Sequence, residues 1–411
     1  MSASTFSKSI LIHRPASEVK AWLARPCVAE RLTPPWWREE NPGAASGCEP
    51  AGHVCRVQEE GAAACVLTDE VAGAAGDDER LARLFAWRHT TVSDDLELLA
   101  AHGAVRKMKF AVAGASGLIG RALMVFLRTQ GHEVLRLARR EVAADDELFW
   151  DPEKGALDAA ALRGVDVIVN LAGEDIAAGR WTASRREAIR GSRVRATRTL
   201  VAAVEKMKHR PHLLVNASAS GFYGDRGDTV LDESGPRGNG FLAEVCEAWE
   251  REALAARELG LRVVLMRFGM VLSPEGGALA RLLPAFRGGR GGRLGDGRHW
   301  VSWALADDAV GAIYHAVLSQ ACEGPVNAAS PNPVTGAEFA ATLARVLGKT
   351  AWLGAPAWAL RLKYGAAFAD GLLLASRRLM PERLLDSGFI FRHARLETAL
   401  RHVLGKITNP K

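Results

Sequence analysis

An apolar run, "KFAVAG" (109–114), leads directly into "GASGLIG" (114–120), and an amphipathic stretch, "GLIGRALMVFLRTQG", follows from residue 117. The pattern reads as strand, glycine turn, helix. Gly114, Gly117 and Gly120 are spaced so that the first makes the tight turn and the second lets backbone N–H groups approach a diphosphate. The third lets the helix pack closely on the strand. The helix N-terminus adds the positive end of its dipole. A dinucleotide site is therefore expected here. The acidic residue that would take a ribose 2′-hydroxyl about 20 residues on is missing. The next strand ends "LARR", so Arg139 and Arg140 either meet a 2′-phosphate, which favours NADP(H) over NAD, or stand solvated.

Short apolar strands alternate with helices from Met108 onward: "HEVLRLAR", "LFWD", a short helix at "AALRG", then "VDVIVNLAG". A long helix over 183–207, the strand "HLLVNASAS", a helix over 241–259 and the strand "LRVVLMRFG" continue the series. Such alternation predicts a doubly wound parallel sheet, an α/β fold of Rossmann type. The last fifty residues read as mostly helical. Before Met108 the pattern differs. Strands at 6–12 and 64–71 and helices at 15–26 and 77–101 flank a Gly-, Ala- and Pro-rich stretch, 41–64, read as loop, and "HGAVRK" (102–107) reads as linker.

The motifs "GASGLIG", "VDVIVNLAGEDIAAGRW", "SASGFYGD", "RFGMVLSPEGGAL", "GGRLGDGRHWVSW" and "LMPERLLDSGFIF" occur in that order. Together they resemble the extended short-chain dehydrogenase/reductase superfamily, in its epimerase-like branch, over residues 108–405. The resemblance implies an NADP-binding domain (108–350) and a small C-terminal, mostly helical domain of unknown function (355–405). It implies that Ser116, Leu118 and Ile119 join the three glycines in the pyrophosphate loop, and that Arg139 meets the 2′-phosphate. Leu171, Ala172 and Gly173 would pass beside the adenine ribose, Arg193 would face the cofactor, and Met270 and Val271 would lie near the nicotinamide. Residues 1–105 resemble a shortened START-like, α+β helix-grip domain, too truncated for a closed apolar ligand pocket.

Hydride-transferring members of that superfamily use a Tyr with a Lys four residues later, so that the Lys charge lowers the phenol pKa. The residues four beyond Tyr223, Tyr314 and Tyr364 are Gly227, Leu318 and Phe368, and no Tyr-x-x-x-Lys exists. Where the pair should fall stand Phe241 and Val245, and the superfamily's Ser/Thr position falls on Ala219. Ser218, Ser220 and Tyr223 are the candidate catalytic hydroxyls, with Asp225 and Glu244 as candidate acids. His299, Trp300 and Trp303 are candidate substrate-lining residues, and Arg290, Arg293 and Arg298 could face a substrate diphosphate. Two readings follow: an atypical NADP(H)-dependent oxidoreductase acting on a nucleotide sugar or carbonyl compound, or a non-catalytic cofactor-binding sensor or scaffold. A ligand carrier built on the N-terminal part is a third.

Composition narrows the partners. A net charge of +6 comes from scattered arginines with no basic block, so nucleic acid is not expected. Six cysteines show neither a C-x-x-C pair nor metal-ligand spacing, which predicts free thiols, no metal and a reducing cytoplasm. No apolar run approaches membrane-spanning length, so no membrane partner is expected, and a homodimer is the candidate oligomer.

Overall fold

The computed structural model describes residues 5–41, 49–73, 77–103, 105–140 and 144–406. The chain divides into two compact units. One comprises 1–107 with 125–132 and 400–411; the other comprises 108–124 and 133–399.

The first unit contains β1 (Thr5–Ile12), α1 (Ala16–Leu23), α2 (Val28–Arg31), α3 (Pro35–Glu40), β2 (His53–Glu59), β3 (Cys65–Ala72) and α4 (Asp78–Ala101). The strands form an antiparallel sheet in the order β1-β3-β2. Alternation buries Cys65, Leu67, Asp69 and Val71 on one face of β3. The apolar members pack with Val19, Trp22, Leu32, Phe85 and Leu96 in two clusters. The 41–64 stretch corrects the loop reading in part: β2 runs through it, paired with β3 from His53↔Val71 to Glu59↔Cys65. Its Gly and Ala content hid a strand whose outward face is solvated. Residues 42–48, including Cys48, lie outside the described residues, and the other five cysteines are free thiols.

Two buried carboxylates, Asp95 and Asp69, are engaged here. Arg31 makes a bidentate pair with Asp95 at 2.9 and 2.8 Å. Asp69 accepts from His53 at 2.6 Å and His89 at 2.8 Å, with Arg88 at 3.5 Å. Burial alone would raise the Asp69 carboxyl, but those partners hold it well below the usual range. A cavity of about 730 Å³ is lined by charged Lys20, Arg25, Glu49 and Arg88 as well as by Leu23, Val28 and Val57.

The second unit carries an eight-stranded sheet in the order β15-β11-β9-β8-β4-β5-β6-β7. In chain order its elements begin with β4 (Lys109–Ala113), α5 (Leu118–Thr129, whose last residues belong to the first unit), β5 (Glu133–Ala138), β6 (Glu147–Asp151), β7 (Ala156–Leu157), β8 (Val167–Asn170) and α6 (Ala183–Glu205). Then come β9 (Leu213–Ala219), β10 (Val230–Leu231), α7 (Phe241–Leu254), β11 (Arg262–Phe268), β12 (Met270–Leu272) and α8 (Gly277–Arg287). The rest are β13 (Trp300–Val301), β14 (Trp303–Leu305), α9 (Ala306–Leu318), β15 (Gly324–Ala328), β16 (Val334–Thr335), α10 (Gly336–Val346), α11 (Ala357–Tyr364), α12 (Ala366–Phe368), β17 (Arg378–Leu379), α13 (Glu382–Asp386) and α14 (Leu396–Val403, whose last residues belong to the first unit). All pairings in the large sheet are parallel except β6 with β7. Residues 110–113 and 167–170 are buried throughout, which is why their sequences are continuously apolar until Asn170. "AALRG" forms successive turns, Leu162 to Ala159 and Arg163 to Ala160, instead of a helix, because Gly164 at φ 77° ends the run.

At the start of α9, Asp308 is buried. Its Oδ1 accepts the Arg392 backbone N–H at 2.8 Å, while Oδ2 has no partner. Burial pushes this carboxyl up to about 7. The unfolded group releases its proton near pH 3.8, so its stabilising contribution is complete below that value and is lost as pH rises through about 7. Asp308→Asn keeps the acceptor and removes the charge. It should raise the melting temperature at pH 8 by several degrees and by much less at pH 5, the upper limit being about 4 kcal/mol. A pH-independent difference in thermal melts would contradict this.

Candidate functional site

The strand order reverses at β4, which lies between β5 and β8, so a crevice opens at the carboxyl ends of β4 and β8. The glycine loop fills the β4 side. Gly114 has φ 77°, and a Cβ there would lie 2.5 Å from the Leu171 carbonyl carbon. A Cβ at Gly120 would lie 2.2 Å from the Gly114 oxygen. Gly117 donates to that oxygen at 3.0 Å, closing the turn at the N-terminus of α5. Ser116 is exposed, Leu118 and Ile119 are half-buried, and Leu118 lies against Gly276 and Gly277. At the end of β8, Leu171 donates to the Ala113 carbonyl at 2.9 Å and Ala172 donates to Asn170 Oδ1 at 3.2 Å.

Arg139 and Arg140 are exposed at the end of β5, but they differ. Glu147 on β6 takes Arg136 at 3.1 Å and Arg140 at 3.4 Å. Arg139 has no partner among the described residues. Arg193 on α6 presses on Gly173, where a Cβ would meet its Cζ at 2.9 Å. It donates to the Ile189 carbonyl at 2.9 Å and lies 5.1 Å from the Trp249 ring centre. Among the described residues no carboxylate pairs with it, and burial lowers its pKa. Met270 and Val271 are half-buried on β12, with Met270 N–H bonded to Ser302.

The candidate hydroxyls separate sharply. Ser218 is buried and donates to Glu250 Oε1 at 2.6 Å. Glu250 also binds Arg267 through Nε and Nη2, both at 2.8 Å. Arg267 Nη1 donates to the Tyr223 hydroxyl at 3.0 Å, and that hydroxyl donates to Asn327 Oδ1 at 2.8 Å. Burial pushes the Tyr223 phenol up to about 12 despite the neighbouring Arg267 charge. A phenol so enclosed is a structural member of the network. Ser220, half-buried at the turn that follows β9, has no hydrogen-bond partner among the described residues. Cys246 is buried behind the same turn, 3.7 Å from the Ala219 oxygen, and burial pushes its thiol up to about 11.

Phe241 opens α7 and Val245 follows one turn later. Trp181 meets Phe241 edge-on at 5.0 Å and Phe368 at 5.3 Å, and Ile189 and Val245 are buried in the same cluster. The Arg186 guanidinium lies 5.4 Å from the Phe241 ring centre, but Phe241 and Val245 themselves supply neither a phenol nor a charge at the positions of the pair. Sequence reasoning missed Trp181, the Glu250–Arg267 pair and Arg377. Arg377 is buried and held by the Gly224 and Gly371 carbonyls at 3.0 and 2.6 Å. Asp225 is exposed and accepts from the Gly227 and Ser376 N–H groups; Glu244 is exposed beside a cavity of about 550 Å³ that it lines with Arg186 and Arg251. His299 packs against Gly336, and burial lowers its pKa. Trp300 donates to Asp228 at 2.8 Å and carries Arg378 over its ring. Trp303 belongs to the core instead of a substrate wall, fully buried with Nε1 bonded to the Asn332 carbonyl. Arg290, Arg293 and Arg298 are exposed.

Residues 110–329 match the model of the NAD dependent epimerase/dehydratase family. The chain belongs to that family. Residues 355–403 match DUF1731, a domain of unknown function. An epimerase family protein of Mycobacterium bovis is 44% identical over 290 residues, 71% of this chain and 95% of its own length. The crystal structure of a nucleoside-diphosphate sugar epimerase from Corynebacterium glutamicum superposes with a TM-score of 0.81 at 31% identity, covering 98% of this chain and 90% of that one. Human epimerase family protein SDR39U1, crystallised with NADPH, superposes with a TM-score of 0.67 at 29% identity, covering 73% of this chain and all of its own. The first of these structures thus extends through the N-terminal residues of this epimerase-family chain.

The hydroxyl of Tyr223 bridges two buried groups, so Tyr223→Phe should destabilise by about 1–3 kcal/mol and lower the melting temperature by a few degrees. An unchanged melt accompanied by lost turnover would return Tyr223 to the chemistry.

Proposed function

We propose that this chain binds NADP(H), with the diphosphate on the Gly114–Gly120 loop and the 2′-phosphate on Arg139. The observation that carries this reading is the cradle itself: Cβ atoms at Gly114 and Gly120 would collide with backbone at 2.5 and 2.2 Å. Further support is that Arg140 is paired while Arg139 is not. The family and the NADPH complex of the human relative agree with it. Arg193, desolvated and without a carboxylate, suits an anionic or carbonyl-bearing part of the cofactor beyond Gly173.

When bound, the nicotinamide supplies a hydride donor or acceptor. The Met270–Val271 strand and the Ala219–Ser220 turn would hold it, and the Trp181–Phe241–Phe368 wall would exclude water. The hydroxyl left to hold or move a proton is Ser220 Oγ. Turnover on a nucleotide sugar or carbonyl substrate is therefore slow, because general acid–base assistance typically worth about 10²–10⁴-fold is weakened. The substitution of Phe241 and Val245 for the acid–base pair favours a second reading, in which the bound cofactor is sensed or displayed without turnover.

Calorimetry tests the cofactor. NADPH should bind more tightly than NADH, and Arg139→Ala should weaken NADPH about tenfold or more while leaving NADH unchanged. Arg140→Ala, which frees Glu147, should matter less. Equal affinities for the two nucleotides in wild type would overturn the 2′-phosphate assignment. A kinetic test separates the two readings: slow reduction or epimerisation that falls further in Ser220→Ala supports chemistry. Absence of turnover over a broad panel, with cofactor bound, supports the sensor.

A further inference from the structure

The segment 349–363, "KTAWLGAPAWALRLK", gathers four exposed large hydrophobic side chains and carries no carboxylate. Trp352 is 71% exposed, Trp358 68% and Leu362 71%, with Leu353 also exposed. Trp358 and Leu362 stand one turn apart on one face of α11, and Leu360 is the buried residue that anchors the helix. Water-exposed tryptophans cost free energy that a soluble surface normally avoids by burial.

Cations accompany that face in the sequence. Lys349, Arg361 and Lys363 lie in the segment; Asp370 pairs with Arg361 at 2.9 Å, and the Lys363 ammonium lies 5.0 Å from the Tyr364 ring centre. The basic glycine loop is tied alongside: Ala355 N–H donates to the Arg293 carbonyl at 2.9 Å, and Gly295 N–H donates to the Ala355 carbonyl at 2.9 Å. The Arg293 side chain lies against Gly354, where a Cβ would be 3.3 Å from its Cγ. Arg290 is exposed on the same loop. The substrate-diphosphate reading of this loop does not account for the tryptophans beside it.

We propose that α11 and the loop before it dock on the surface of an anionic phospholipid bilayer, with Trp352, Trp358 and Leu362 entering the interface and the Lys and Arg side chains meeting headgroup phosphates. Indole rings prefer the headgroup level, and a basic rim around a short apolar face is the signature of a helix that lies in the interface plane. The charge pattern decides against a second copy of the chain, because a two-fold contact would set like cations against one another. No helix among the described residues is long and apolar enough to cross a membrane, so the attachment is peripheral.

The test uses the full chain with vesicles of phosphatidylcholine alone or mixed with phosphatidylglycerol, separated by flotation at low and high salt. Binding is expected only with phosphatidylglycerol and should weaken as salt rises. Lys349→Gln with Lys363→Gln should lower partitioning about 25-fold, taking roughly fivefold per cation near an anionic surface. Trp352→Ala with Trp358→Ala should abolish it, with an unchanged melting temperature because both side chains are exposed. Ile390→Ser, at an 80% exposed residue outside the segment, should bind as wild type. Three results would overturn the proposal: equal binding to the two vesicle types, binding retained in the tryptophan variant, or a lipid-free, concentration-dependent dimer that the tryptophan variant loses.

Discussion

The pairing of Arg267 with Glu250 organises the polar centre of the second unit. Arg267 sits on β11, Glu250 on α7, and the pair is closed by two hydrogen bonds of 2.8 Å. Removing either partner would leave a buried charge unmatched, which typically costs about 3–5 kcal/mol. The pair extends outward through polar groups that would otherwise be orphaned. Ser218 on β9 uses Glu250, Tyr223 uses Arg267, and Asn327 on β15 uses Tyr223. Asn327 then reaches the carbonyls of Leu231 and Met380 at 3.1 and 3.0 Å. One ion pair therefore ties the ends of three neighbouring sheet strands to the chain that carries β10 and β17. It fixes the turn on which Ala219 and Ser220 stand.

This network explains what could and could not be read from the sequence. The strands and long helices of the second unit were legible because their burial is local and repetitive: β4, β8, β9 and β11 are buried on both faces and read as apolar runs. The glycine loop was legible because its spacing is dictated by backbone collisions. Ser218 and Tyr223 were not separable from Ser220 by sequence. Their burial depends on Glu250, Arg267 and Asn327, which lie 17 to 104 residues from the groups they bind. Trp303 looked like a site residue because tryptophans near glycine loops often are, but its indole N–H finds a carbonyl within the core. In the first unit, β2 was missed because its side chains are mostly solvated, so no apolar alternation marks it.

The two arginines after β5 show how identical residue types acquire different surroundings. Arg140 is neutralised by Glu147, and so is Arg136, leaving one carboxylate shared by two cations. Arg139, adjacent in sequence and likewise just past the end of β5, has no partner among the described residues. Composition does not distinguish them. The strand pairing Arg136↔Glu147 does, because it brings β6 alongside β5 and puts the carboxylate within reach of Arg136 and Arg140.

Arg193 and Arg377 carry the same logic to a buried setting. Each loses hydration, each has a pKa lowered by burial, and each is held by carbonyl oxygens with no carboxylate partner among the described residues. Cys246 is a charged-form neighbour of both only in principle, since its thiol is pushed up to about 11 and stays neutral at physiological pH. Two guanidiniums are thus incompletely compensated among the described residues, beside a wall in which Phe241 and Val245 offer no proton donor at the positions of the acid–base pair. Such an arrangement favours binding an anion over shuttling a proton. A carboxylate partner for either arginine would settle the charge within the protein, and with it would go much of the attraction for an anionic ligand.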